Sequence, residues 1–238
     1  MRERMYTYEI NAGYSMMDTS LRMTIPAILD CFQDAAIFEA ENGRITMEYL
    51  YSRHMAWLLS SWQIEVYRRP KLNERICVTT FPYAFKGFLG YRNFTLTTKT
   101  GEILVKAASI WSLIDTIQLR PAKVEQEIID CYELHEKLDM NYAPRKIALC
   151  GSERMRDTFY VRHCQIDSNH HMNNTEYVKL AMEFLSDQQQ VQRLRVEYKK
   201  AAYLHDKLTA IVYEQDNQCQ VHLVDAEGSN YAVVEFVV

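Results

Sequence analysis

Glycine and proline are scarce, with seven and five in 238 residues, so no flexible low-complexity linker divides the chain. The six cysteines (31, 77, 131, 150, 164 and 219) are scattered and form no Cys-x-x-Cys pair. That excludes the common zinc-ribbon and thioredoxin patterns and points to a reducing compartment, hence a cytoplasmic location. No apolar run approaches the roughly 20 residues a bilayer crossing needs, so no membrane span is expected. The first eleven residues are charged and alternating, unlike a signal peptide with an apolar centre. Basic excess is lacking too: 27 Lys and Arg against 31 Asp and Glu give a net charge of −4. Nucleic acid is therefore not an expected partner, and attraction for an acidic partner would need local basic patches. What is present is ordinary for a globular protein, with 48% hydrophobic and 24% charged residues. The length suits one large domain or two small ones.

The spacing predicts a strand near 5–11 and a helix from about Pro26, since proline suits a first helical turn. Ile25, Ile28, Leu29, Phe32 and Ala36 give that helix one apolar face. Segments 57–67, 75–84, 89–98 and 103–114, rich in Val, Ile, Thr and aromatics, read as strands broken by turns. From Ala122 to about Leu138 the pattern becomes charged and helical, and with 139–153 it reads as a connection. A strand at 157–164, a helix at 174–185 and strands at 192–201, 206–215, 218–225 and 230–238 follow.

The second series repeats the first. Residues 64–76 align without gaps to 196–208, both carrying Glu, two basic residues and an acidic-basic-aliphatic close. The turn and strand of 98–107 resemble 225–234, and Asp18 and Asp167 each stand a few residues before a helix. Two strand–helix–strands units, each burying a helix on an antiparallel sheet, explain the pattern as an α+β duplication.

The most unusual segment is 163–174, His-Cys-Gln-Ile-Asp-Ser-Asn-His-His-Met-Asn-Asn, which crowds an acid, three Asn and three His before an apolar helix. Such groups are costly to bury without partners. Helix capping explains one or two of them, but does not require Asp, Asn and His at alternate positions 167, 169 and 171. Metal binding by Asp167, His163, His170 and His171 is a second reading, but no familiar ligand spacing is present, and neither a metal nor another cofactor is expected.

The run Asp167-Ser168-Asn169-His170-His171-Met172-Asn173-Asn174 resembles the Asp-x-Asn-x-His-x-Asn-Asn motif of acyl-ACP thioesterases. Leu29-Asp30-Cys31-Phe32-Gln33-Asp34-Ala35-Ala36 is similar to that family's first helix. Trp57-Leu58-Leu59, Tyr67-Arg68-Arg69-Pro70 and Trp111-Ser112-Leu113-Ile114-Asp115 also look like its pattern, so the resemblance covers nearly the whole chain. It implies a tandem double hotdog: an acyl-binding module over 1–120, a helical linker over 121–152 and a catalytic module over 153–238. It further implies hydrolysis of fatty acyl-acyl carrier protein. The catalytic residues implied are Asp167, Asn169 and His171. Read from the residues themselves, Asn174 and, as walls of an acyl tunnel, Ile28 and Phe32 of the first helix are candidate substrate contacts, with ordinary core packing the competing reading. One departure stands out. Plant members continue the Glu-Tyr-basic-basic run with Glu-Cys, whereas Glu197-Tyr198-Lys199-Lys200 is followed by Ala201-Ala202. A mechanism through that second acid or thiol is unavailable here, and Glu197 falls elsewhere along the strand.

Asp167 is the candidate to activate water or attack the carbonyl. His171 would orient the carbonyl or assist the departing thiolate, and Asn169 would position the water. The helix N-terminus would polarise the thioester. Arg68-Arg69, Lys199-Lys200 and Arg193 with Arg195 are candidate docking patches for the acidic carrier protein. A homodimer stays open, because a tandem module already supplies the pairing that a single one seeks. An acyl-CoA thioesterase, a non-catalytic acyl-binding protein and a hotdog dehydratase are the competing readings, and fold alone does not separate them.

Overall fold

The computed structural model describes residues 5–186 and 190–238. The chain divides into two compact units, Met1–Ser60 with Val66–Tyr142, and Ser61–Glu65 with Ala143–Val238. In chain order the elements are β1 (Tyr6–Asn11), α1 (Ile25–Asn42), α2 (Met47–Ser52), β2 (Met55–Val66), β3 (Arg75–Lys86), β4 (Leu89–Thr98) and β5 (Ile103–Asp115). Then come β6 (Arg120–Pro121), α3 (Gln126–Ile129), β7 (Ser152–Tyr160), α4 (Asn174–Met182), β8 (Arg193–Tyr198), β9 (Lys207–Gln215), β10 (Gln218–Val224) and β11 (Asn230–Val237).

In the first unit the antiparallel sheet runs β1-β3-β4-β5-β2, with β6 beside β5. Helix α1 lies on it. Thr24 caps the helix by accepting the Ala27 N–H at 3.2 Å, and Pro26 occupies its first turn. Ile25, Ile28, Leu29, Phe32, Ala35 and Ala36 recur at helical spacing and are all buried. Phe32 meets Phe94 of β4 with ring centroids 5.2 Å apart. Gly90 lets Trp57 and Phe85 pack on β4, because a Cβ there would lie 3.1 Å from Phe85 and 3.3 Å from Trp57. Arg92 reaches back under α1 to pair with Glu39 and donates to the Thr80 hydroxyl at 3.1 Å.

In the second unit Ser61–Glu65 pairs with β8, and the order continues β8-β11-β10-β9-β7. Helix α4 packs on β10 and β11 through Thr175, Tyr177, Val178 and Ala181. It stops at Met182, short of the 185 expected from the sequence.

The connection departs further from expectation. Apart from the four residues of α3, segment 122–151 has no helix. Strand side chains hold its backbone instead. Asn93 accepts the Leu138 N–H at 3.1 Å and the Tyr142 hydroxyl at 3.0 Å. Lys106 donates to the Asp139 carbonyl at 2.9 Å. In the second unit Gln63 accepts the Ala143 N–H at 2.8 Å, and Glu197 the Ile147 N–H at 3.1 Å. Gln220 accepts from the Cys150 N–H and donates to the Ala148 carbonyl. A backbone satisfied from outside has no need of helical bonds, and Pro144 could not continue a helix. Helix α2, capped by Thr46, is absent from the sequence-based reading.

Candidate functional site

The loop before α4 is a closed circuit. The Asp167 N–H donates to the His171 carbonyl at 2.9 Å, and the His170 N–H returns to the Asp167 carbonyl at 3.0 Å. His170 closes the turn at φ 62°, a conformation uncommon outside glycine. The Asp167 carboxylate accepts the Asn169 N–H at 2.8 Å, an Asx turn. Asn173, not Asp167 or Asn169, caps α4, accepting the Thr175 N–H at 2.8 Å. Capping therefore accounts for Asn173 and leaves Asn169 and His171 unexplained.

The histidines diverge. The His171 ring stands edge-on to Tyr203, with centroids 5.0 Å apart. His163 meets His205 at 5.9 Å, and His170 is exposed. Among the described residues no group of three or more His, Cys, Asp or Glu is placed to hold a metal. Asn174 is the first residue of α4, and its carbonyl accepts the Tyr198 hydroxyl at 2.9 Å. Ile28 and Phe32 are fully buried core residues of the first unit. Glu197 serves the connecting segment through the Ile147 N–H, with Lys199 at 3.7 Å.

The first unit repeats this backbone. The Asp18 N–H donates to the Arg22 carbonyl at 2.9 Å and the Leu21 N–H to the Asp18 carbonyl at 3.0 Å. Leu21 has φ 56°, matching His170. The Met23 N–H bonds the Pro70 carbonyl and the Met172 N–H the Ala202 carbonyl, both at 2.8 Å. Asn73 and His205 share positive φ, 61° and 71°. Position 18 thus answers to 167, 22 to 171, 69 to 201 and 70 to 202.

The side chains differ where it matters. Asp18 is neutralised by Arg69 and also accepts from the Ser20 hydroxyl at 2.6 Å and the Arg22 N–H at 3.1 Å. Partial burial pushes the Asp18 pKa up, but Ser20, Arg69 and the Arg22 N–H outweigh it and lower the pKa to about 2. The position that answers to Arg69 is Ala201, which has no charge, and no basic side chain lies within ion-pair distance of Asp167 among the described residues. The ungapped alignment of 64–76 with 196–208 already set Arg69 against Ala201, a signal the motif reading passed over. It also missed Tyr203, the ring against His171.

The Asp18 arrangement carries a pH dependence. A carboxyl whose pKa is depressed on folding stabilises above its unfolded value, about 4, and that contribution is lost as pH falls towards 2. Arg69→Met raises the folded value, so the variant loses stability at neutral pH and is affected less by acid between pH 4 and 2. Circular-dichroism melts from pH 7 to 2 check this; an equal stability difference across that range would disprove it.

The basic pairs expected to dock a carrier are largely committed internally. Arg68 bonds Glu74 and Glu102, at 2.8 and 3.0 Å. Arg69 holds Asp18, Lys200 pairs with Asp225, and Arg195 pairs with Glu235 at 3.0 Å while donating to the Pro144 carbonyl. These groups are ion pairs of the fold rather than a free basic surface.

Family comparison places the chain. The model for the acyl-ACP thioesterase N-terminal domain matches residues 3–132, and that for the C-terminal domain matches 151–236. The chain belongs to the acyl-ACP thioesterase family. It is 25% identical to the chloroplastic acyl-[acyl-carrier-protein] hydrolase FATB3 of Cuphea viscosissima, over 86% of this chain and 55% of that protein. The chain spans about half the length of the curated relatives it matches. The crystal structure of an acyl-ACP thioesterase from Bacteroides thetaiotaomicron matches with a TM-score of 0.88 at 22% identity, covering 97% of this chain and 96% of that one. The 12:0-ACP thioesterase of Umbellularia californica matches with a TM-score of 0.83 at 19% identity, over 98% and 96%. The fold is the tandem hotdog of this family. No helix among the described residues is long and apolar enough to cross a membrane.

Proposed function

We propose that this thioesterase-family chain hydrolyses fatty acyl thioesters of acyl carrier protein, releasing the free fatty acid and the carrier thiol. The observation that carries the reading is the exchange of Arg69 for Ala201 between otherwise matching loops, which leaves Asp167 without the cation that neutralises Asp18. Water attacks the thioester carbonyl while the Asp167 carboxylate takes its proton. The carbon–sulfur bond then breaks, and His171 passes a proton to the departing thiolate. Asn169 positions the water. The positive end of the α4 dipole, at its N-terminus, polarises the thioester carbonyl and favours the developing oxyanion. A direct attack by Asp167 uses the same residues with an acyl-enzyme intermediate.

In this reading the first module, 1–120, binds the acyl chain, with Ile28 and Phe32 among its walls. The second, 153–238, carries the chemistry, with Asn174 at its acyl entrance, and 121–152 connects them. Six free cysteines fit a reducing compartment such as the cytoplasm. The chemistry needs no second subunit, and a homodimer remains compatible with it.

The test is hydrolysis of a panel of acyl-ACPs beside matched acyl-CoAs. The expected result is a kcat/KM at least tenfold higher on the carrier protein. Preference for CoA would reassign the carrier, and hydrolysis of neither would remove the enzymatic reading.

A further inference from the structure

One buried hydroxyl has no place in the mechanism above. Tyr177 projects from α4, is 2% exposed, and accepts the Ala202 N–H at 2.9 Å. Ala202 is the residue whose carbonyl takes the Met172 N–H at 2.8 Å, next to His171. The following residue is Tyr203, whose ring stands against His171. The Tyr203 N–H is held in turn by Asp206 at 2.9 Å.

The first unit isolates what this bond adds. The Met23–Pro70 bond is kept there, and Glu74 accepts the Lys71 N–H at 2.8 Å as Asp206 does for Tyr203. The counterpart of Ala202, Pro70, has no N–H to give. The counterpart of Tyr177, by the same 149-residue offset that relates Asp18 to Asp167, is Ile28, which has no hydroxyl. Donor and acceptor are missing together from the half that neutralises its aspartate, and present together in the half that does not. The framework therefore folds without the bond, and its presence marks the site.

We propose that Tyr177 is a positioning residue of the thioesterase site, fixing the 202–203 turn so that the backbone beside His171 and the ring against it are held at once. Burial pushes the phenol pKa well up; the Ala202 N–H acts the other way, while Tyr231, Asp206 and Asp167 add to the rise. The hydroxyl thus keeps its proton and remains a neutral acceptor for Ala202. This inference rests on the reading of Asp167 and His171 as the reacting groups.

Two variants test it. Tyr177→Phe leaves the Ala202 N–H buried without an acceptor. The double variant Tyr177→Ile with Ala202→Pro installs the pair found in the first unit and removes that orphan donor. Three readouts are taken on the whole chain: Tm, kcat and KM on acyl-ACP, and the imidazole NMR signals of His171. Tyr177→Phe is expected to lower kcat about 10- to 100-fold with KM within twofold, since small misplacements cost such factors. The double variant is expected to recover Tm relative to Tyr177→Phe while kcat stays low and the His171 signals stay displaced. Recovery of kcat together with Tm, or a Tyr177→Phe enzyme with wild-type kcat and unshifted His171 signals, would overturn the proposal. If wild type hydrolyses neither carrier, the functional reading fails by itself, and the His171 signals still decide whether Tyr177 positions that ring.

Discussion

Asp167→Asn is expected to lower kcat by about 10²–10⁴, the usual contribution of a positioned general base, while leaving the fold unchanged. The amide keeps the oxygen that accepts the Asn169 N–H, so the Asx turn survives. What the amide cannot do is take a proton from water or act as an anionic nucleophile. Thermal melts and acyl-ACP hydrolysis by the same preparation check both halves of the statement. A variant that melts as wild type and turns over within threefold of it would remove Asp167 from the chemistry. Asp18→Asn is the matched control, because the same change in the first unit breaks an ion pair with Arg69 and is expected to reduce stability with no comparable loss of kcat.

Phe32→Ala is expected to cost about 3–5 kcal/mol, as large-to-small changes at buried aromatics do. For a chain of this size that corresponds to a fall in Tm of about 6–20 °C. The ring is fully buried and faces Phe94, so its removal leaves a cavity rather than a solvated gap. Calorimetry of the variant gives the magnitude, and the acyl-ACP panel gives its consequence for substrate choice. A fall below about 1 kcal/mol would show that the ring is not packed in the core, and an acyl-chain preference unchanged from wild type would remove Phe32 from the walls of the acyl site.

Much of the fold was legible because its parts obey local rules. Helix α1 has a capping threonine, an early proline and an apolar stripe. The strands carry β-branched runs ended by turns, and β4 begins and ends where expected. The duplication was legible too, since the paired segments aligned without gaps, and the repeated backbone bonds bear this out in both loops. The connection was misread because its charged, loosely periodic sequence fits a helix, whereas its hydrogen-bond partners lie far away in the chain, on Asn93, Gln63, Glu197 and Gln220. Helix α2 was missed because six residues hold too little periodicity to register.

The site was legible only as residue types. Alternate Asp, Asn and His set the expectation of a site there, but sequence did not reveal that Asn173 takes the capping role or that Arg69 separates the two aspartates. The basic pairs are a related case. Arg68, Lys200 and Arg195 look free when read along the chain, yet their carboxylate partners lie at positions 74, 102, 225 and 235. Ion pairing across strands is invisible to a one-dimensional charge count.

The connecting segment 138–150 behaves, in one respect, like a strand without a sheet. Irregular surface segments ordinarily accept inserted residues, because nothing fixes where each amide must fall. Here the amides of Leu138, Ala143, Ile147 and Cys150 each meet an acceptor anchored on a different strand. One added residue would slide every later amide past its acceptor, the way a one-residue slip misaligns a ladder. The join between the duplicated halves thus carries a phase of its own, and its length is constrained although its conformation belongs to no regular class.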